Sequence, residues 1–350
     1  MNLVKGGKMK KIKILVASLL CFCVAVCTTI IVGCGGKDYT KINFNEVTHS
    51  IFYAPFYAAN NLGYFEDEGL QINLTNGGGS DVSMTALISG AADMILAGPE
   101  TVVYTSQEGI TDQPMVFGQL TQTDGSFIVS KKGPDFKISD LLGETIIGGR
   151  AGGMPAMTLQ YAIERVAGYQ IGVGSDKVNL RTDVAFNAIA SEFENSNANY
   201  CTLFEPNASN LVAAHPEYHI VASVADLVNQ KIPYTCFIAK QSYLKNHSDI
   251  AEKFLKAVRR GYDFLKDCYE NNHLEDAAQA LKDSFTGMSI DDLKIAVAAY
   301  YRIDAFSHDM VMSRQSLDTL LAITQNAGML NGNTDYNKIV NTEIASRLGL

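Results

Sequence analysis

The chain has 350 residues, of which 47% are hydrophobic and 19% are charged. This length allows two domains with sizeable cores, and the composition excludes global disorder. The chain has 28 basic and 37 acidic residues, giving a net charge of −9, so phosphate backbones are repelled and no nucleic-acid partner is expected.

The N-terminal 33 residues are predicted to be a lipoprotein signal peptide. Five lysines and no acidic residue precede the apolar run Ile14–Val32, and a start at Met9 would shorten this basic region without changing the interpretation. About 18 apolar residues could span a bilayer, but the run ends in Ile-Val-Gly-Cys, which resembles the bacterial lipobox. We therefore expect cleavage before Cys34, lipidation of its thiol, a tether over residues 34–40 and a mature net charge of −14.

Strands and helices alternate along the chain from residue 41 to residue 214, which predicts parallel sheets covered by helices. The predicted strands are 41–48, 69–76, 92–98, 113–121, 144–149, 177–182 and 199–204. The predicted helices between them are 54–62, 82–89, 99–107, 154–168, 185–193 and 207–214. From Gln241 onward the pattern is almost entirely helical.

Four prolines mark the corners where predicted strands lead into helices: Pro55, Pro99, Pro155 and Pro206. Proline is favoured in the first turn of a helix because its missing N–H would have no partner there. In open α/β sheets, ligands bind outside the carboxyl ends of the strands, where such corners lie. Two corners fall in each half of the chain, so a shared ligand site is predicted.

Three cysteines lie beyond the predicted signal and lipidation site: Cys201, Cys236 and Cys268. Their odd number and the absence of a Cys-x-x-Cys spacing match neither a disulfide framework nor a zinc site. They are predicted to be buried reduced thiols, and no metal ion or cofactor is expected.

Three stretches carry a resemblance to a known family: "FYAPFYAANNLGYFEDEGLQINL", "GGGSDVSMTALISGAADMILAGPE" and the "FEP" corner. They resemble the substrate-binding proteins of ABC importers, in the branch that takes up thiamine-pyrimidine precursors, alkanesulfonates and nitrate. The resemblance covers nearly all of the mature chain. It implies an α/β periplasmic-binding-protein-like type II fold, in which two lobes, each a mainly parallel sheet covered by helices, are joined by two crossing strands.

The resemblance also implies how the chain divides and where it works. Lobe I is expected to comprise 41–121 plus 238–350, and lobe II 122–237, with crossings near 120–127 and 220–237. The implied protein is a monomeric lipoprotein on the outer face of the cytoplasmic membrane. It would pass a small molecule to an ABC permease and its ATPase.

The implied ligand-binding residues lie on the strand-to-helix corners and the crossings. They are Thr48, His49, Phe52, Tyr53, Gly79, Ser80, Gly98, Glu100, Asp124, Arg150, Gly152, Gly153, Phe204, Glu205 and Tyr234. Several have a structural alternative. His49 suits a hydrogen-bonded structural histidine, Glu100 a helix-dipole partner, Arg150 a salt bridge across its lobe, and Asp124 and Tyr234 a hinge.

The predicted ligand is a flat nitrogen heterocycle such as a thiamine pyrimidine precursor. The rings of Phe52, Tyr53 and Phe204 would stack on it and Glu205 would accept its N–H groups. The chain has no tryptophan, a departure from what pyrimidine-binding relatives often use. A riboflavin-like ligand and an alkanesulfonate or nitrate bound by Arg150 remain alternatives.

Two other functional classes remain open beside transport. A fungal branch of this fold makes the thiamine pyrimidine enzymatically from a histidine of its own. Aligned on "GYF", that histidine corresponds to Tyr53 here, so no enzymatic activity is expected. The third class is a ligand sensor that signals to a membrane receptor.

Overall fold

Two β-sheets form the framework of the chain in the computed structural model, which describes residues 38–330, 332 and 334–348. The predicted signal peptide and Cys34 lie outside the described residues. The strands are β1 Thr40–Glu46, β2 Leu70–Asn76, β3 Met94–Ala97, β4 Pro114–Thr121, β5 Ser126–Ser130, β6 Thr145–Ile147, β7 Gln170–Ile171, β8 Lys177–Arg181, β9 Tyr200–Phe204, β10 His219–Ser223 and β11 Thr235–Lys240.

Helices fill most connections and nearly all of the C-terminal part. They are α1 Ala54–Asn61, α2 Tyr64–Asp67, α3 Ser80–Ser89, α4 Glu100–Gln107, α5 Met154–Tyr161, α6 Ile189–Asn195, α7 Asn207–Ala214, α8 Val224–Val228, α9 Gln241–Asn246, α10 Ser248–Glu270, α11 Leu274–Leu281, α12 Ile290–Arg302, α13 Arg314–Asn326, α14 Tyr336–Ile339 and α15 Thr342–Ser346. Short 3-10 helices cover Ile51–Tyr53, Ile138–Leu141 and Phe186–Ala188, and a π-helical turn covers Ala162–Val166. The predicted alternation is confirmed, although the helix expected at 154–168 is α-helical only as far as Tyr161.

Each sheet is mainly parallel and contains one antiparallel strand. The first sheet has the order β2-β1-β3-β11-β4, with β11 antiparallel to both of its neighbours. The second has the order β10-β5-β9-β6-β8-β7, with β5 antiparallel to both of its neighbours. The central strands β3 and β9 are buried at every position, whereas the edge strand β2 is largely exposed. Buried central strands therefore appear in the sequence as continuous apolar runs.

The chain crosses twice between the two sheets. It leaves the first sheet at Thr121, enters the second at Ser126, and returns between Ser223 and Thr235. The strands of the first sheet thus come from two parts of the chain, β1–β4 before the second sheet and β11 after it. This arrangement confirms the predicted two-lobed type II fold. The exact lobe boundaries stay predictions.

The C-terminal part of the chain contacts both lobes. The sequence did not indicate this arrangement. Helix α13 packs against α5 of the second lobe, and Asn326 Nδ2 donates to Glu164 Oε2 at 2.8 Å. The chain then returns to the first sheet, where the Asn341 N–H donates to the Val116 carbonyl at 2.8 Å. A segment assigned to lobe I from sequence therefore also touches lobe II.

Phenylalanine side chains form the core between the first sheet and helices α1 and α10. The Phe254 ring lies within 5.1–5.4 Å of the rings of Phe44, Phe65 and Phe237, measured between centroids. Phe56 stacks on Phe44 at 4.7 Å and is fully buried. Phe56 and Phe65 therefore belong to this core rather than to a surface that could contact a ligand.

The structure also shows the state of the three remaining cysteines and the character of the helices. Cys201, Cys236 and Cys268 are free and buried, as predicted. Among the described residues, no helix combines the length and apolar character needed to cross a bilayer.

Candidate functional site

A cavity of about 710 Å³ lies between the two sheets, at the carboxyl ends of their parallel strands. All four proline-marked corners contribute to its walls. Corner residues that line it are Thr48 and Tyr53 after β1, Gly98 and Glu100 after β3, Arg150, Gly152, Gly153 and Pro155 after β6, and Phe204 at the end of β9. Gly79 and Ser80 after β2 and Tyr234 before β11 complete the set of predicted residues on the walls. The strand-to-helix corners marked by proline thus lie on the wall of one cavity, and the ligand-binding roles of their residues stay predictions.

Aromatic rings form much of the cavity wall. Tyr53, Phe204 and Tyr234 line it while remaining at most 7% exposed. Phe186 contacts Phe204 edge-on, with ring centroids 5.3 Å apart. Tyr104 projects from α4 into the same cavity. This arrangement can hold a flat apolar ligand between rings.

Phe52, predicted to contact ligand, lies behind this wall. It is 1% exposed and is absent from the lining. Its ring centroid is 5.3 Å from that of Phe204 and 5.6 Å from that of Tyr234, both in edge-to-face contacts. A Cβ atom at Gly125 would lie 2.5 Å from the Phe52 ring, so this glycine admits the ring. Phe52 therefore supports the aromatic wall from the core side.

Among the described residues that line the cavity, Glu100 is the one buried carboxylate. It is 2% exposed, and Oε2 has no hydrogen-bond partner among the described residues. Burial raises its pKa from 4.5 to about 8, because desolvation disfavours the charged form. A Cβ atom at Gly98 would overlap the carboxylate, so the preceding glycine is what permits this position.

Arg150 occupies the rim rather than the interior. Its side chain is 59% exposed, and Nη2 lies 3.7 Å from Oδ2 of Asp81, which belongs to α3 of the other lobe. An exposed pair at this distance contributes little to stability. The pair nevertheless places opposite charges on the two sides of the cleft.

Glu205 does not point into the cavity, contrary to the sequence-based expectation. Its carboxylate accepts hydrogen bonds from the Ser209 N–H at 3.0 Å and the Ser209 hydroxyl at 2.9 Å. The side chain therefore folds over the first turn of α7, and burial raises its pKa. The physical reason is local: a helix N-terminus offers free donors that satisfy the carboxylate.

His49 and Asp124 also lie away from the cavity walls. His49 Nδ1 is 2.9 Å from Glu46 Oε1 and Nε2 is 2.7 Å from the Ser284 carbonyl, as in the structural alternative. Asp124 is fully buried in the first crossing, where it accepts from the Ser126 N–H at 2.7 Å. Burial raises the pKa of Asp124 to about 7.

Several lining residues were not identified from the sequence. They include Asn76, Met84, Thr101, Tyr104, Phe186, Asn187, Thr235 and Met329. Tyr104 could have been found, because it lies one turn after Glu100 on the same helix face. Phe186 could also have been found, because it lies in the connection from β8 to the next helix, and ligands bind at such strand-to-helix corners. Met329 had no local signal, since it reaches the cavity from the segment after α13.

The fold and this cleft define a two-lobed solute-binding protein. A family model described as "NMT1/THI5 like" matches residues 51–268. The putative binding protein YtlA of Bacillus subtilis (strain 168) is 36% identical over 313 residues, covering 89% of this chain and 91% of YtlA. The chain therefore belongs to the NMT1/THI5-like family, which confirms the resemblance inferred from its sequence.

Solved structures show the same fold at low sequence identity. A protein of Bordetella bronchiseptica RB50 is similar with a TM-score of 0.65 and 17% identity, covering 89% of this chain and 97% of that one. The alkanesulfonate-binding protein SsuA of Xanthomonas axonopodis pv. citri, bound to MOPS, is similar with a TM-score of 0.63 and 12% identity, covering 83% and 94%. At these identities the comparison establishes architecture, not ligand.

Proposed function

We propose that this protein is the substrate-binding component of an ABC importer and that its ligand is a flat nitrogen heterocycle of the thiamine-pyrimidine-precursor type. One observation carries the ligand assignment: an aromatic-lined cavity contains a buried carboxylate, that of Glu100, whose Oε2 has no hydrogen-bond partner among the described residues. Rings provide stacking surfaces, and the carboxyl group accepts or donates hydrogen bonds at the edge of a heterocycle. Family membership supports the transport role.

The magnitudes favour this ligand class over a purely apolar one. Each aromatic pair contributes about 0.5–1.5 kcal/mol beyond area burial. A hydrogen bond to a charged group contributes about 1.5–3 kcal/mol. Because roughly 1.4 kcal/mol changes affinity tenfold, a hydrogen bond to the ionised carboxylate favours a ligand with N–H donors over a hydrocarbon by about one to two decades, while the rings favour any flat ligand.

An alkanesulfonate is the second candidate, and Arg150 favours it. The guanidinium lies on the cavity wall beside the glycine-rich turn that precedes α5, whose N-terminus can attract an anion. The similar SsuA structure is of an alkanesulfonate-binding protein. Against this candidate, Arg150 is exposed and already lies near Asp81.

Native mass spectrometry of the protein as purified from its own cells tests the assignment most directly. We expect a bound mass that corresponds to a pyrimidine or related heterocycle. Calorimetry with 4-amino-5-hydroxymethyl-2-methylpyrimidine and with ethanesulfonate then compares the two classes. Binding of the sulfonate alone, weakened by Arg150→Gln, would contradict the heterocycle proposal and leave the importer role intact.

Lipid anchoring at Cys34 belongs to the same proposal. The lipobox-like sequence supports placing the mature protein on the outer face of the cytoplasmic membrane, where it would serve a permease as a monomer. The variant Cys34→Ser is expected to accumulate as an unprocessed precursor in the producing cells. Mapping the mature N-terminus by mass spectrometry checks this, and a terminus elsewhere than Cys34 would rule the anchor out.

A further inference from the structure

Carboxylates outnumber cations on the cavity walls. The charged lining residues are Asp81, Glu100, Glu108 and Arg150. Arg150 lies 3.7 Å from Asp81, so the one guanidinium on the walls already has an acidic neighbour. Glu108 is exposed at the end of α4. Glu100 is therefore the buried acid that no cation of the walls compensates.

The groups that face Glu100 are neutral. Four of them lie close enough for the charge of Glu100 to raise their own pKa values: Tyr53, Tyr104, Tyr234 and Cys236. Burial is the larger cause of each of these shifts. Desolvation is the main cause of the raised pKa of Glu100, and no lysine, arginine or histidine is among the causes. With a pKa of about 8, the carboxyl group is therefore mostly protonated at neutral pH when no cation pairs with it.

Ionising this carboxyl group without a cationic partner would leave an uncompensated charge on a buried side chain, which is costly. A ligand that brings a positive charge removes that cost, because the carboxylate and the cation then pair. The carboxyl proton passes to solvent, so one proton leaves for each cation bound. A neutral ligand leaves the carboxyl group protonated. An anionic ligand could accept a hydrogen bond from the protonated carboxyl group but would form no ion pair with it.

We propose that Glu100 makes this site select cationic ligands, with its carboxylate pairing with an ammonium, an amidinium or a protonated ring nitrogen. The inference rests on the proposed solute-binding function and narrows its ligand class from heterocycles in general to positively charged ones. Oε2, which has no hydrogen-bond partner among the described residues, is the oxygen of this carboxylate left to accept the ligand's N–H group.

Two matched pairs of probes test the selection by calorimetry at pH 7. The first pair is 4-amino-5-aminomethyl-2-methylpyrimidine, a cation, and its neutral 5-hydroxymethyl analogue. The second is benzylamine and benzyl alcohol. We expect the cation of a pair to bind at least tenfold more tightly. Glu100→Gln should weaken the cation's binding by about tenfold to a hundredfold and leave the neutral member unchanged.

Glu205→Gln is the matched control, because Glu205 is also a buried acid with a raised pKa but lies outside the cavity. It should retain the preference for the cation. Repeating the titration of the wild-type protein in phosphate and in Tris counts protons: about one should be released per cation and none per neutral ligand.

Protein stability offers a measurement that needs no ligand. The pKa of Glu100 is raised in the folded state, so its stabilising contribution is complete below about pH 4.5 and is lost as pH rises toward 8. Glutamine cannot titrate. The Tm of the wild type should therefore fall relative to that of Glu100→Gln between pH 5 and pH 8.

The outcomes separate the two proposals. Glu100-dependent binding of benzylamine without binding of either pyrimidine would reject the heterocycle and keep the selection of cations. Equal affinity for both members of every pair, a preference that survives Glu100→Gln, or cation binding without proton release would overturn the inference. A pH-independent Tm difference between the wild type and Glu100→Gln would also overturn it.

Discussion

Replacing Phe52 with alanine is expected to lower the free energy of unfolding by about 3–5 kcal/mol, the usual cost of truncating a buried phenylalanine. The ring is 1% exposed, and the centroids of Phe204, Tyr234 and Tyr300 lie 5.1–5.6 Å from it. Phe204 and Tyr234 line the cavity, so removing their support should also weaken binding of an aromatic ligand roughly tenfold, about one lost ring contact. Urea denaturation and calorimetry measure the two effects.

The same truncation at Phe264, which is half-buried on α10, is the control for Phe52→Ala. It should cost less stability and leave ligand affinity unchanged, because Phe264 is not on the cavity wall or in contact with the Phe52 ring. If Phe52→Ala destabilised the protein no more than Phe264→Ala, the support role of Phe52 would be wrong.

Replacing Gly261 with alanine is expected to destabilise the protein by about 3 kcal/mol, at the upper end of overpacking costs. Gly261 lies on α10 where that helix crosses the first turn of α1. A Cβ atom there would overlap the Pro55 carbonyl oxygen and lie 2.9 Å from the Ala59 nitrogen. Backbone atoms cannot rotate away as a flexible side chain could, so the two helices must separate.

Gly287→Ala provides the matched control for the effect at Gly261. No atom lies within 4 Å of a Cβ atom built at Gly287, so the change should stay within about 0.5 kcal/mol. Unfolding curves of both variants measure the difference. A stable Gly261→Ala protein would show that α1 and α10 do not pack as closely as described.

The alternation of elements was predictable because each strand and helix carries its own local signal. An apolar run such as that of β9 is typical of a strand buried on both faces. Proline is favoured at or next to the first turn of a helix, so it marks where a helix begins. Together these signals predicted two parallel sheets and the edge at which their corners meet. The motifs around Gly63 and Glu100 carried the family resemblance. These features depend on neighbours in sequence.

The roles of single side chains were less predictable, because they depend on neighbours in space. Whether Phe52 faces the ligand or the core is decided by Phe204, Tyr234 and Tyr300, which come from three distant segments. Glu205 was chosen as the ligand acid, yet the donors of Ser209 hold it over its own helix. In the sequence, Glu100 and Glu205 look alike, because each is an acidic residue at the start of a helix. Sequence alone therefore could not distinguish their roles.

The sequence by itself therefore determined the family, the two-sheet architecture and the corners that form the cleft. The tertiary structure alone decided which acid on the cleft wall is buried with an oxygen that has no hydrogen-bond partner among the described residues. It also decided that Met329 reaches the cleft from the C-terminal segment. The physical reason is that secondary structure and turns follow from local backbone and side-chain preferences. Desolvation and pairing of a charge depend on every group that surrounds it after folding.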